Sequence, residues 1–304
     1  MDNPINRELI SLLACPNCGG DLLEAKNRLK CSLCYKEYEI TNGIPILYPD
    51  NTDVGHLREE ENLAGMMRQP RLSQKEQFSL SQWSASKQEF WEMVRSNIEP
   101  PPKCFVNIGC GFDSYFVQFE EQAYIFVNFD IVYDVYALTR EHGTKSCIAG
   151  DISSLPFKRS SFDYIVSIDV IHHESDKVFA LLESFRNLLK PGGCLFLEDP
   201  NAWGMFQLAK SIILPKPLYR FLRSAYHRLK RSAHRPADYE FPTSVWSVRK
   251  MLRDLGFRNI RVYPNNAYPC IGETSFQIYK LFKHIDWVRK YHNYHYMLSA
   301  ERAV

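Results

Sequence analysis

The chain has 304 residues, 45% of them hydrophobic and 24% charged, with a formal net charge of +2. This length suits one medium domain and one small one, and the composition excludes disordered and fibrous classes. The near-neutral balance gives none of the cationic bulk of a general nucleic-acid binder, and no apolar stretch is long enough to span a bilayer.

The first fifty residues are marked by paired cysteines. Cys15-x2-Cys18 and Cys31-x2-Cys34 are separated by twelve residues. Each pair can offer two thiolates from one turn, and the stretch between them is long enough for a hairpin that brings the pairs together. Four thiolates leave no open coordination position, so the expected metal is a structural Zn2+ rather than a catalytic one. The metal would supply much of the folding energy of so small a unit. Gly19 and Gly20 follow the first pair, where the turn needs backbone freedom. The other five cysteines, Cys104, Cys110, Cys147, Cys194 and Cys270, are scattered, and the total of nine is odd. That pattern argues against a disulfide framework and for a reducing compartment. The opening MDNPINRELISLLACPNC lacks the basic and apolar regions of a secretory leader, so a cytoplasmic protein is expected.

Residues 51–100 are expected to be a linker followed by helix. The first half is polar and carries Glu59-Glu60-Glu61. The second half places Phe78, Leu80, Trp83, Phe90, Trp91 and Val94 among polar residues until Pro100-Pro101-Pro102 breaks the chain.

Residues 101–304 read as an α/β domain. The short apolar runs CFVNI, YIFVNF, KSCIA, DYIVSI, CLFLE, NIRVY and FQIYKLF (276–282) alternate with longer helical patterns. Such runs suggest strands of a buried, mostly parallel sheet. Val178, Leu181, Leu182, Phe185, Leu188 and Leu189 recur at helical spacing, and the helix is expected to end at Pro191-Gly192-Gly193. A second helix is expected from about Ser244 to Leu255, stopped by Gly256.

The first of these strands leads into Gly109-Cys110-Gly111. Two glycines allow a sharp turn and a close approach to a ligand, although the same pair also fits an ordinary strand-to-helix turn. Ser114 stands where a dinucleotide fingerprint needs glycine, and no Gly-Lys-Ser/Thr follows for a P-loop. Asp130 closes the second strand, 21 residues after Gly109. A carboxylate there can accept hydrogen bonds from two ribose hydroxyls. Asp151 closes the third strand, placed to take an adenine amino group while Ile152 packs on the base. His172 and His173 follow the fourth strand. An imidazole there can take a proton at neutral pH, with His172 the candidate catalytic base; one histidine packed in the structure and the other in solvent is the plainer reading. Glu198 and Asp199 end the fifth strand, where they can touch a substrate or, for Asp199, cap the next turn.

The order GCG, FD, GDISSLPF, SFDYIVSIDVIHH and LLKPGG resembles the class I S-adenosylmethionine-dependent methyltransferases, closest to the type 11 group of the ubiquinone and menaquinone biosynthesis enzymes. The resemblance is close over residues 104–200. It implies a Rossmann-like seven-stranded sheet with the last strand antiparallel, and S-adenosyl-L-methionine bound over the strand ends. Carried over by motif, Asn107, Gly109, Cys110, Gly111 and Ser167 lie at the methionine side, Asp130 and Ile131 at the ribose, and Asp151 and Ile152 at the adenine. Asn107 departs from the family's usual acidic residue and Asp113 from its third glycine. Residues 9–49, with LLACPNCGG, LKCSLCYKEYEI and GIPILYP, resemble the zinc-ribbon activators of tRNA and protein methyltransferases. That resemblance implies a packing or substrate-presenting role.

A helical insertion is expected at 203–240. Residues 203–235 hold eight Lys or Arg and no Asp or Glu, with Arg220, Arg223, Lys230 and Arg231 opposite an apolar helical face. This segment reads as a lid with a solvated basic face, or as a contact for an anionic lipid, a phosphorylated acceptor or RNA, the first making the protein peripheral at a membrane. The absence of an Asn-Pro-Pro-aromatic motif leans towards oxygen or carbon acceptors on a small molecule, saccharide or lipid. The alternatives are an RNA methyltransferase and a non-catalytic scaffold.

Overall fold

The computed structural model describes residues 7–55, 57–58, 61, 74–101, 103–111, 125–133, 146–174, 177–205, 242–266 and 273–304. Asp113, Cys270 and all eight basic residues of the insertion lie outside the described residues.

Seven strands form the main unit: β5 (Cys104–Ile108), β6 (Ile125–Asp130), β7 (Cys147–Gly150), β8 (Phe162–Ile168), β9 (Leu189–Pro200), β10 (Phe257–Tyr263) and β11 (His295–Arg302). They lie in the order β7-β6-β5-β8-β9-β11-β10. Every pairing from β7 to β9 is parallel, and β11 runs antiparallel to both neighbours. The strand order reverses between β5 and β8, which opens a crevice at their carboxyl ends. β5 to β8 are buried along nearly their whole length, as continuous apolar runs covered on both faces should be.

The helices expected before the proline break, after residue 177 and after Ser244 are all present. α1 (Arg7–Leu12) opens the chain and α2 (Gln74–Arg95) precedes the proline break. α3 (Val178–Leu188) buries Val178, Leu181, Leu182, Phe185 and Leu188 along one side. It stops before the expected Pro191, because proline excludes the helical conformation for the residue before it, and β9 begins at once with Leu189. α4 (Val245–Asp254) is capped by the Ser244 hydroxyl, which accepts from Ser247 N–H, and ends at Gly256 with φ +80°.

The run at 276–282 is not a strand. It belongs to α5 (Glu273–Phe282), which α6 (Asp286–Tyr291) follows. Its apolar residues serve either periodicity: Tyr279 is buried while Gln277, Lys280 and Leu281 are exposed. The seventh strand is instead β11, HYMLSAER, whose first six residues are all buried between β9 and β10.

The cysteine-rich segment does not stand apart from this sheet. β1 (Leu22–Glu24), β2 (Arg28–Cys31) and β3 (Glu37–Thr41) pair antiparallel. Asn42 (φ +53°) and Gly43 (φ +76°) make the two-residue turn into β4 (Ile44–Leu47). β4 then pairs in parallel with β7, Ile46 with Ala149 and Leu47 with Gly150, so one eleven-stranded sheet runs through both parts. The approach is close: a Cβ on Gly150 would meet the Phe129 ring at 2.8 Å and the Leu47 carbonyl oxygen at 3.1 Å. Leu9, Leu13, Leu22, Leu29 and Tyr38 share a continuous hydrophobic core with Val127, Phe129, Ile148 and Phe157.

Candidate active site

The crevice begins at the turn after β5. The N–H groups of Gly109 and Cys110 both donate to the Phe129 carbonyl at the end of β6, at 2.8 and 3.2 Å. Gly109 has φ +69°, and a Cβ there would lie 2.2 Å from Cγ2 of Val170, so the loop after β8 crosses directly against this turn. Gly111 has φ +51° and open space beside it: a Cβ there would meet no atom of the described residues within 4 Å. Between them the Cys110 side chain turns inward among Ile44, Val132, Cys147 and Ala149, leaving only its backbone at the turn.

Asp130 ties the second loop to this turn. Its Oδ2 accepts from Gly111 N–H at 2.8 Å and its Oδ1 from Val132 N–H at 2.9 Å. Burial pushes the Asp130 carboxyl up, against the N–H groups of Val132, Gly111 and Ile131 that favour its charged form. Each oxygen retains a lone pair for a further donor. Asp151 accepts from Ser153 N–H at 2.8 Å and so caps the short turn Ile152–Ser154 beside it. Asn107 donates to Asn128 Oδ1 at 3.3 Å, while its own Oδ1 and the Ser167 hydroxyl are buried without a hydrogen-bond partner among the described residues. Open space at a glycine turn, spare carboxylate lone pairs and two unmatched buried polar atoms fit a polar, nucleoside-bearing ligand laid across β5, β6, β7 and β8.

On the other side of the switch point lies a buried ionic cluster. His172 Nδ1 is 2.9 Å from Asp199 Oδ1, and its ring lies 4.1 Å from that of His173. Asp199 is 1% exposed and its Oδ2 has no hydrogen-bond partner among the described residues. Burial pushes the Asp199 carboxyl up, opposed by His172. Asp199 therefore orients an imidazole and does not cap the next turn. Asp169, at φ +56°, donates its N–H to the Glu198 carbonyl at 2.9 Å. Lys87 Nζ of α2 stands 2.5 Å from Asp169 Oδ2 and 3.9 Å from Glu198 Oε2. His295 bridges the same acids, 3.1 Å from Glu198 and 3.5 Å from Asp169, and the Ser86 hydroxyl donates to Glu198 at 2.6 Å. Burial alone would raise the Asp169 carboxyl, but Lys87 and then His295 hold it far below the usual carboxylate range.

Lys87, Asp169 and His295 escape a reading of the sequence alone. Lys87 left one trace there: it lies four residues after Trp83 and four before Trp91, on what should be an apolar helix face. His295 sits in the strand that sequence reasoning missed.

The four N-terminal cysteines converge as their spacing requires. Their sulfur atoms all lie within 4.8 Å of one another, with Cys15–Cys34 at 3.7 Å and Cys18–Cys31 at 3.4 Å. A tetrahedral zinc with Zn–S bonds of about 2.3 Å sets sulfurs about 3.8 Å apart. The N–H groups of Leu33 and Cys34 point at Cys31 Sγ, at 3.4 and 3.5 Å, as they would at a thiolate. The Tyr38 hydroxyl lies 3.1 Å from Cys15 Sγ. This donor set fits one zinc ion.

Residues 106–197 match the family described as a methyltransferase domain. Over these residues the chain is similar to that family. A human protein named "Probable tRNA methyltransferase 9B" is 32% identical over 122 residues, which are 38% of this chain and 25% of that protein. The mouse protein of the same name is 29% identical over 149 residues, 47% of this chain and 32% of its own length. The chain thus spans a quarter to a third of these curated relatives. Among solved structures, a SAM-dependent methyltransferase of Thermotoga maritima, titled a possible histamine N-methyltransferase, aligns with a TM-score of 0.50 at 14% identity. It covers 81% of this chain and 98% of that one, and shares the methyltransferase domain's fold. No described helix is long and apolar enough to cross a membrane.

Proposed function

We propose that the protein transfers a methyl group from S-adenosylmethionine to an oxygen of a small biosynthetic acceptor, with His172 as general base and a structural zinc held by Cys15, Cys18, Cys31 and Cys34. The observation that carries this reading is the meeting, at the switch point of the sheet, of the Gly109–Gly111 turn, with space beside Gly111 among the described residues, and the buried His172–Asp199 pair. When bound, the cofactor supplies a methyl group already activated on a sulfonium. The chain's own residues then have three tasks. Asp130 and Asp151 offer acceptor atoms for ribose and adenine, and Asn107 Oδ1 offers one to an ammonium group. The buried walls exclude water. Asp199 orients the His172 imidazole through Nδ1, and the ring takes the proton of a hydroxyl acceptor.

Calorimetry with S-adenosylhomocysteine tests the cofactor half of the reading: the parent should bind, and Asp130→Ala should weaken binding by about ten- to a hundredfold, since bonds to a charged acceptor are worth roughly 1.5–3 kcal/mol. Unchanged binding in both Asp130→Ala and Gly109→Val would remove the pocket. For the chemical half, His172→Ala should lower methyl transfer by about 10²–10⁴-fold with cofactor affinity kept. A second reading, transfer to RNA, is favoured by the names of the human and mouse relatives. Radiolabelled methyl transfer to total tRNA, run beside a small-molecule extract, decides between the two acceptors.

A further inference from the structure

The loops that carry Asp130 and Asp151 are both held from outside the methyltransferase domain, by the N-terminal segment. Behind Asp151, Ala14 N–H donates to the Pro156 carbonyl and Lys158 N–H to the Leu12 carbonyl, each at 2.9 Å. The Ser154 hydroxyl donates to the Pro16 carbonyl at 2.5 Å, and Lys158 pairs with Asp21 at 2.7 Å. Behind Asp130, the contact comes closer to the ligand. The half-buried Tyr48, one residue past β4, donates its hydroxyl to the Ile131 carbonyl at 2.5 Å. Its ring packs in the cluster that contains Cys110, Val132 and Ile131. Asn42 reaches the far end of the same turn, donating to the Tyr133 hydroxyl at 3.0 Å.

We propose that Tyr48 is a positioning residue for the adenosine half of the cofactor, fixing the 130–133 turn so that the Asp130 carboxylate and the Ile131 side chain face the ligand. The inference rests on the cofactor reading above. Asp130 turns one lone pair to Val132 N–H and one to Gly111 N–H, so its direction depends on the turn that Tyr48 pins. The phenol stays a donor across the working pH range, because burial, and then Asp130, Glu61 and Asp151, oppose its ionisation. Tyr48 thereby makes the N-terminal segment a component of the nucleoside site, and not a module tethered beside it.

The test is calorimetry on the 304-residue chain loaded with zinc, with two probes: S-adenosylhomocysteine, and 5′-methylthioadenosine, which lacks the amino-acid half. Tyr48→Phe removes one buried hydrogen bond and should weaken both probes by the same factor, about three- to tenfold, with zinc content unchanged. Tyr48→Ala should weaken both further. If Tyr48→Ala fails to fold, Tyr48→Phe still decides. Parent-like affinity of Tyr48→Phe for both probes overturns the inference. So does a loss seen with S-adenosylhomocysteine alone, which would place the effect at the methionine half. A parent that binds neither probe removes the cofactor reading itself, a result distinct from either.

Discussion

Gly109 and Gly111 both adopt left-handed backbone, yet they should fail differently when given a side chain. A Cβ at 109 drives into Val170 at 2.2 Å in addition to the backbone strain, so Gly109→Ala should destabilise the fold and displace the loop that carries His172. A Cβ at 111 meets nothing among the described residues, so Gly111→Ala should cost about 1–2 kcal/mol, the left-handed penalty alone. If the open space is where the ligand lies, Gly111→Ala should still fold and yet lose S-adenosylhomocysteine binding. Thermal melts with and without the ligand separate the two effects; a Gly111→Ala protein stabilised by ligand as much as the parent would show the space is not used. At this scale the proposed cofactor side is open to sequence reasoning, because its residues end strands in a fixed order. The proposed acceptor side is only half open. His172, Glu198 and Asp199 stand at strand ends, but Lys87 reaches them from a helix 82 residues before Asp169, and no local pattern encodes that meeting.

The elements show where periodicity suffices. Strands β5 to β9 and helices α3 and α4 follow their apolar patterns, each within a few residues. FQIYKLF misleads because a seven-residue apolar run fits a buried strand and a helix face equally, and length is the arbiter only when the flanks are visible. HYMLSAER carries an apolar core of the right length, but its pattern is weaker than that of the run before it, which competes for the same seventh place in the sheet. The larger surprise concerns the cysteine segment. Its paired cysteine spacing is legible, but its attachment is not, since nothing in GIPIL announces that Ile46 and Leu47 will extend a parallel sheet at β7. This changes what zinc loss should do. A free-standing ribbon could unfold alone, whereas here β4 covers the β7 edge and Tyr48 holds the Ile131 turn. Chelation, or Cys31→Ser, should therefore lower the melting temperature of the whole protein and weaken S-adenosylhomocysteine binding. By reciprocity the ligand should slow zinc release to a chromogenic chelator. Release at the same rate with and without ligand would show that the two sites are energetically separate.

At the scale of the whole molecule, the cluster around Lys87 is where α2, β8, β9 and β11 are locked together. Its side chain is 4% exposed, and Glu198 is 0% exposed. Removing one partner from a buried pair leaves an uncompensated charge and costs roughly 3–5 kcal/mol, so Lys87→Met should lower stability by about that amount at pH 7. The loss should depend on pH with a definite sign. Asp169 is held below its unfolded value, near 3.9, by Lys87 and His295 against the opposing pull of burial. A carboxyl with a depressed folded value contributes stability that is fully present above its unfolded value and lost as pH falls through the folded one. The parent therefore loses this contribution on acidification below about pH 4, whereas Lys87→Met has already lost the share that Lys87 supplies and keeps only that of His295. Asp199, raised by burial, works in the opposite direction in both proteins. The stability gap between parent and Lys87→Met should accordingly narrow as pH is lowered from about 4 towards about 2, measured by urea denaturation at matched ionic strength. A gap that stays constant over that range would mean that Lys87 acts through packing of its aliphatic stem and not through its charge on Asp169.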